Sequence, residues 1–255
     1  MSDFPGAVPA DVLIGPTQPV GISQIRAVSA VTLTGATTIG GTSGPLGNAT
    51  DTKLLLALRS WSDVILVGAA TVRAENYGGV VLSPGDRARR TSEGRPPLPR
   101  VAVVTRSFNL SPDSPLFADS EVPTLVLVPA QAYADPRLAG PRDAIIRAGG
   151  RIVSTEGGTP GEIIRCLREQ GHRRIICEGG AQLLGQLVRA DLIDVHHITI
   201  DPSLTLPVHP GLIAEVDTRP KDPQEHHRLC LDEVRATSDG CVFLRYNRKH
   251  PGLAP

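Results

Sequence analysis

Residues 173–184, RRIICEGGAQLL, carry the residue types best suited to holding a phosphorylated ligand. Arg174, Ile175, Ile176 and Cys177 form a short apolar run with the branching expected of a buried parallel strand. Glu178, Gly179 and Gly180 follow, and then Leu183, Leu184, Leu187 and Val188 recur at helical spacing. Two glycines between strand and helix let a backbone approach a ligand closely. The first N–H groups of the helix and its positive dipole end favour an anion at the same place. A carboxylate beside an anion faces some other group, so Glu178 is read as meeting a second ligand. A tight strand–helix turn without any ligand would carry the same glycines.

The pattern occurs again upstream. Residues 63–67, DVILV, read as a second buried strand, and GAATVRAENYGG follows directly. Gly68, the small Ala69 and Ala70, and then Thr71, Val72 and Arg73 at a helix start form another turn able to hold phosphate. A third strand, residues 101–104, ends in Thr105, Arg106 and Ser107. A guanidinium between two hydroxyls can grip a phosphate through charge-assisted hydrogen bonds.

These turns need a framework to hold them at comparable depth, and the chain supplies one. Strand patterns at residues 25–33, 63–67, 101–104, 125–128, 152–153, 174–177 and 194–200 alternate with helical ones through most of its length. Thr159, Pro160 and Glu162 spell a helix start, with a capping threonine, proline in the first turn and glutamate three residues after the cap. Residues 229–236 and 241–247, around Ser238, Asp239 and Gly240, read as an antiparallel hairpin. The expected architecture is therefore α/β: a mainly parallel sheet flanked by helices and closed by a C-terminal antiparallel hairpin. Residues 25–250 are expected to make a single domain, with residues 1–24 as an extended arm. Residues 82–100 show no apolar periodicity, and the five arginines Arg87, Arg89, Arg90, Arg95 and Arg100 face only Asp86 and Glu93, so a solvated loop is expected there.

Composition narrows the function. The 255 residues carry 26 basic and 26 acidic side chains, a formal net charge of zero, and 3% aromatics. That balance does not favour nucleic acid or an anionic membrane, and it leaves few rings for stacking bases. Cys166, Cys177, Cys230 and Cys241 form no C-x-x-C pair and read as reduced thiols of a cytoplasmic protein. The first twenty residues lack the basic start of a secretory signal, and no run approaches the roughly 20 apolar residues of a membrane span. His196 and His197 are adjacent in a strand and point to opposite faces, so they do not chelate one metal together. No metal is expected.

GAATVRAENYGG, VTRS and EGGAQLL, in this order, resemble the reductase domain of riboflavin biosynthesis, which has the dihydrofolate-reductase-like fold. The resemblance spans nearly the whole chain, about residues 26–247. It implies an NADPH-dependent reduction of a ribosylaminopyrimidine. Gly68, Ala70, Thr71, Val72, Gly179, Gly180, Ala181 and Leu183 would hold the pyrophosphate and adjoining ribose of NADPH, and Thr105, Arg106 and Ser107 the adenosine 2′-phosphate. Glu178 would contact the substrate, with Thr32, Thr34 and Ser43 on the substrate side. Two departures stand out. The family's S-L-D-G reads Thr32, Leu33, Thr34, Gly35 here, without the carboxylate, and its P-x-x-x-G reads Pro202 to Leu206, without the glycine. The zinc deaminase signatures that many members carry are absent from this sequence. A dihydrofolate- or pteridine-type reductase and a nucleotide-binding relative without catalysis are the alternatives. A homodimer is expected, formed along a late antiparallel edge at residues 241–247.

Overall fold

β-Branched and apolar residues without polar interruption are buried on both faces only in the middle of a helix-covered sheet, and the strands of this chain follow that rule. In the computed structural model, which describes residues 4–208, 211–214 and 226–249, nine strands form: β1 (Gln24–Thr32), β2 (Val64–Gly68), β3 (Arg100–Val104), β4 (Leu125–Pro129), β5 (Arg151–Thr155), β6 (Arg174–Cys177), β7 (Val195–Asp201), β8 (Leu229–Ala236) and β9 (Val242–Arg248). The helices are α1 (Ala10–Ile14), α2 (Ala49–Trp61), α3 (Ala69–Ala74), α4 (Pro84–Ser92), α5 (Pro115–Ala118), α6 (Ala130–Ala134), α7 (Ala139–Arg147), α8 (Pro160–Glu169) and α9 (Ala181–Arg189). Strands and helices alternate as the sequence pattern requires, and most strand pairings are parallel. None of the described helices is long and apolar enough to cross a membrane.

The chain divides into two compact units. The second comprises Gln18–Ser23 and Arg59–Gly180. Its five strands run in the order β5-β4-β3-β2-β6, all parallel. Val64, Ile65, Leu66, Val67, Ile175, Ile176 and Cys177 are wholly buried there, each large side chain contributing about 1.5–3 kcal/mol of hydrophobic stabilisation. α8 starts where its capping box lies: Thr159 accepts from the Glu162 N–H and the Glu162 carboxylate accepts from the Thr159 N–H. Ile163, Ile164 and Leu167 form its buried face.

The expected loop at residues 82–100 is instead largely ordered around α4. Ser83 caps that helix by accepting from the Asp86 N–H, and Pro84 opens it. Its arginines are not all solvated. Arg90 is fully buried, and donates to the carbonyls of Ser60, Ser62 and Pro96 at 2.7, 2.5 and 2.9 Å. Arg95, also buried, donates to Trp61 and Ser60 carbonyls and pairs with Glu93. The Ser60 and Trp61 carbonyls end α2, where no intrahelical donor remains for them. Two guanidiniums therefore close the helix, which hydrophobic periodicity has no means to reveal.

The first unit comprises Met1–Thr17, Gln24–Leu58 and Ala181–Pro255. Here β1 pairs with β7 in parallel, β7 with β9 and β9 with β8 antiparallel. β9 thus lies between two strands. The edge expected at residues 241–247 is not an edge, and Arg245 within it is buried and pairs with Asp232. The outermost strand of this group is β8, with Leu231 and Val234 exposed at 55% and 50%. The N-terminal segment contains the short α1. Its carbonyls are gripped from below: Arg245 donates to Val12 and Leu13, and Arg26 to Ile14 and Pro16.

Candidate active site

Parallel strands bring their following loops to one end of a sheet, and ligands collect at that carboxyl end. In the second unit, Gly68 closes β2, Thr105 follows β3 and Glu178 follows β6. The Gly68 N–H donates to the Gly179 carbonyl at 2.9 Å, so two of the glycine turns meet. The Gly179–Gly180 peptide is cis. A Cβ at Gly180 would stand 2.6 Å from Thr71 Oγ1, whereas a Cβ at Gly179 would meet nothing within 4 Å. A side chain at Gly180 would have to displace the Thr71 hydroxyl, whereas the space above Gly179 is open to a ligand's close approach. Gly179 also has φ +86°, a conformation that favours glycine.

Around this turn Ala70 is exposed and Thr71 half-buried, while Val72 belongs to the core and offers a ligand only its backbone. Thr105 is buried, and its Oγ1 accepts from the Ser107 N–H at 3.3 Å. That bond folds the chain back so that Arg106 and Ser107 are both exposed. The structure therefore brings Gly68, Thr71, Gly179 and Gly180 together, and places Thr105, Arg106 and Ser107 on the loop after the strand next to β2. These features fit a dinucleotide cofactor: an open glycine turn for the pyrophosphate and an exposed guanidinium beside a hydroxyl for a further phosphate.

Glu178 does not stand alone. Its Oε1 accepts from Arg59 Nε at 2.7 Å, and its Oε2 accepts from Arg59 Nη2 and from the Tyr77 hydroxyl, both at 2.7 Å. Arg59 Nη2 also donates to the Tyr77 oxygen at 3.0 Å, and the guanidinium carbon lies 5.4 Å from the Tyr77 ring centre. The Glu178 side chain is 8% exposed and that of Arg59 20%. Burial alone would lower the Arg59 pKa, but the charge of and hydrogen bond to Glu178, with Tyr77, together outweigh it and raise it. Burial, then the Glu178 charge, raises the Tyr77 phenol well above its ordinary value, so it stays a neutral donor. Arg59 Nη1 makes no hydrogen bond among the described residues. That guanidinium nitrogen is the donor left over from the cluster, held by a fork that fixes its plane. Arg59 and Tyr77 were missed by sequence reasoning. An arginine on the last turn of an amphipathic helix looks like any solvated charge, and only the strand–helix packing sets it against Glu178.

In the first unit, Thr32 closes β1 and is buried. Thr34 Oγ1 lies 2.8 Å from Thr32 Oγ1 and 3.2 Å from Thr205 Oγ1, and accepts from the Thr205 N–H at 3.2 Å. The Leu33 N–H donates to the Ser203 carbonyl. The two places where the chain departs from the family pattern, 32–35 and 202–206, are therefore joined by one hydroxyl cluster. Ser43 is exposed on the loop before α2, and Leu183 is buried on α9, which begins at Ala181.

A mainly parallel, helix-covered sheet whose strand ends carry paired glycine turns and an ion-paired carboxylate belongs to the α/β class, in which ligands collect at the carboxyl ends of the strands. The match to a family model places it further: residues 24–239 match the RibD C-terminal domain, and the chain belongs to that family. It is 29% identical over 152 residues to the 2,5-diamino-6-ribosylamino-4(3H)-pyrimidinone 5′-phosphate reductase of Archaeoglobus fulgidus, covering 60% of this chain and 67% of that one. A pyrimidine reductase-like protein of Corynebacterium diphtheriae superposes with a TM-score of 0.83 at 28% identity, over 94% of this chain and 98% of the other. The riboflavin biosynthesis reductase of Saccharomyces cerevisia shares the fold, with a TM-score of 0.62 at 18% identity over 94% and 96% of the two chains.

Proposed function

We propose that the protein reduces a phosphorylated ribosylaminopyrimidine of riboflavin biosynthesis, with NADPH as the reductant. The observation that carries this reading is the pairing of an open glycine turn at Gly179 with a guanidinium, Arg59, fixed by Glu178 and Tyr77. NADPH, when bound, supplies a hydride; the chain's own residues bind, orient and exclude water. Gly68, Ala70, Thr71, Val72, Gly179, Gly180, Ala181 and Leu183 would hold the pyrophosphate and ribose, and Arg106 with Thr105 and Ser107 the 2′-phosphate. Arg59 takes the anionic end of the substrate, and Glu178 holds Arg59 in place. Thr32, Thr34 and Ser43 contribute neutral hydroxyls on the substrate side. The test is a turnover assay: purified protein with NADPH and the ribosylaminopyrimidine 5′-phosphate should oxidise one NADPH per substrate reduced, and no consumption of either would refute the reading.

Cofactor choice follows from Arg106. A charge-assisted bond to the 2′-phosphate contributes about 1.5–3 kcal/mol, or about tenfold to a hundredfold in affinity. Arg106→Ala should weaken NADPH by that factor and leave NADH unchanged; equal NADPH affinity in both proteins would remove Arg106 from the site.

The protein is read as a cytoplasmic homodimer. An outermost strand with exposed Leu231 and Val234 is a surface that invites pairing with a second copy. Light scattering at micromolar concentration should give about twice the 26.9 kDa chain mass, and Val234→Lys should shift it toward the monomer. A wild-type mass near that of one chain excludes the dimer.

A further inference from the structure

A phosphate monoester is close to a dianion at neutral pH and offers several acceptor oxygens. The single guanidinium of Arg106 answers half of that charge. A second cation stands beside the loop that carries it. Gly68 and Val104 are a register pair, so α3 leaves β2 and the 105–110 loop leaves β3 at the same height, within one compact unit. Arg73 lies in the last turn of α3, the helix that Gly68 opens. Its Nη1 donates to the Asn109 carbonyl of that loop at 2.9 Å.

The loop is pinned on both sides of Arg106. Buried Thr105 precedes it, bonded to the Ser107 N–H. Phe108 follows, 1% exposed at φ +53°, a conformation that a bulky side chain takes only where packing holds it. The Leu110 N–H returns to the Phe108 carbonyl at 2.7 Å, and Arg73 adds the pin at Asn109. Arg73 is itself exposed, and the Asn109 carbonyl is its one hydrogen-bond partner among the described residues. Nε and Nη2 are therefore left over, and they form one edge of the guanidinium, the edge that grips two oxygens of a single phosphate. Other outer arginines of this unit are spent on carboxylates: Arg87 on Glu121, Arg89 on Asp86, Arg137 on Asp135 and Arg165 on Glu156. Arg151 and Arg173 are exposed and unpaired, but they stand at the amino ends of β5 and β6, away from the glycine turns. At the carboxyl end, Arg73 and Arg106 are the exposed guanidiniums that no carboxylate holds among the described residues.

Resting on the cofactor reading argued above, we propose that Arg73 is a second specificity-determining residue for the 2′-phosphate of NADPH, closing on it from α3 while Arg106 and Ser107 meet it from the loop. The bond to Asn109 holds the long side chain in place beforehand, which lowers the rotamer entropy lost on binding. A 2′-hydroxyl carries no charge for either guanidinium to neutralise. The pair therefore acts on the choice between the two cofactors and not on dinucleotide affinity in general.

The experiment is isothermal titration of the whole protein with NADPH, NADH, adenosine 2′,5′-bisphosphate and adenosine 5′-monophosphate, for wild type, Arg73→Ala, Arg73→Gln, Arg106→Ala and the double alanine variant. Arg73→Ala should weaken NADPH and the bisphosphate by about tenfold to a hundredfold and leave NADH and the monophosphate within about twofold. Arg73→Gln keeps an amide donor for the Asn109 carbonyl but no charge, and should lose as much as Arg73→Ala. In the Arg106→Ala background, Arg73→Ala should cause a further loss specific to the 2′-phosphate. A residue that only clips the loop gives the opposite results: Arg73→Gln binds as wild type does, and Arg73→Ala adds nothing once Arg106 is gone. Either result overturns the proposal, as does equal weakening of NADPH and NADH. A wild type that binds NADPH no more tightly than NADH refutes the cofactor choice itself. A wild type that prefers NADPH, with Arg73→Ala unchanged, removes Arg73 alone.

Discussion

Arg59→Leu should lower kcat/KM for the pyrimidine phosphate by at least about a hundredfold while leaving NADPH affinity within about twofold. Three changes act together. The guanidinium nitrogen proposed to meet the substrate is lost, the Glu178 carboxylate loses two of its three donors, and a charge buried to all but 8% is left with Tyr77 alone. Removing one partner of a buried ion pair costs about 3–5 kcal/mol; with Arg59 20% exposed, solvent screening brings this toward the lower end. Glu178→Gln separates binding from positioning. It keeps the shape and one acceptor oxygen but no longer anchors the arginine fork, so its KM should rise more than its kcat falls. Tyr77→Phe, which removes one hydroxyl donor, should give a smaller loss, about 1.5–3 kcal/mol. Isothermal titration with NADPH and steady-state kinetics on the three variants check this. Arg59→Leu with unchanged kcat/KM would show that the triad is only a structural link.

Arg90→Met is expected to reduce the unfolding free energy by about 3 kcal/mol, with little change in m-value. Methionine fills a similar apolar volume, but the Pro96 carbonyl loses its donor, and the Ser60 and Ser62 carbonyls keep only their bonds from Arg95, at 3.1 and 3.4 Å. Each buried carbonyl left without a partner costs about 1–3 kcal/mol. Burial, then the adjacent Arg95 guanidinium, pushes Arg90 down to about 10, so relief of that repulsion offsets part of the loss. Arg95→Met in the same background should then cost more than it does alone, because it removes the remaining donor to Ser60 and Ser62. Urea unfolding of the single and double variants measures the coupling, and strict additivity would mean that the two arginines do not share these carbonyls.

The sequence by itself determined the alternation of strands and helices, the buried parallel strands, the α8 start at Thr159 and the glycine turns after β2 and β6. Each is written in neighbouring residues, as period, cap or conformational freedom, and local chemistry suffices to read it. The family resemblance was legible for the same reason, since its three segments each lie within a dozen consecutive residues. Tertiary structure alone decided what polar side chains across long sequence separations do. Glu178 meets Arg59 from 119 residues away, Thr34 meets Thr205 from 171, and Asp51 meets Thr199 from 148. It also placed β9 between β7 and β8, because antiparallel pairing lets a final strand enter on either side of a hairpin partner with the same alternation. The arginines of residues 82–100 were misread on the same physical ground. A guanidinium is buried only where enough carbonyls and carboxylates converge on it, and that convergence is a property of the packed chain, which no window of sequence contains.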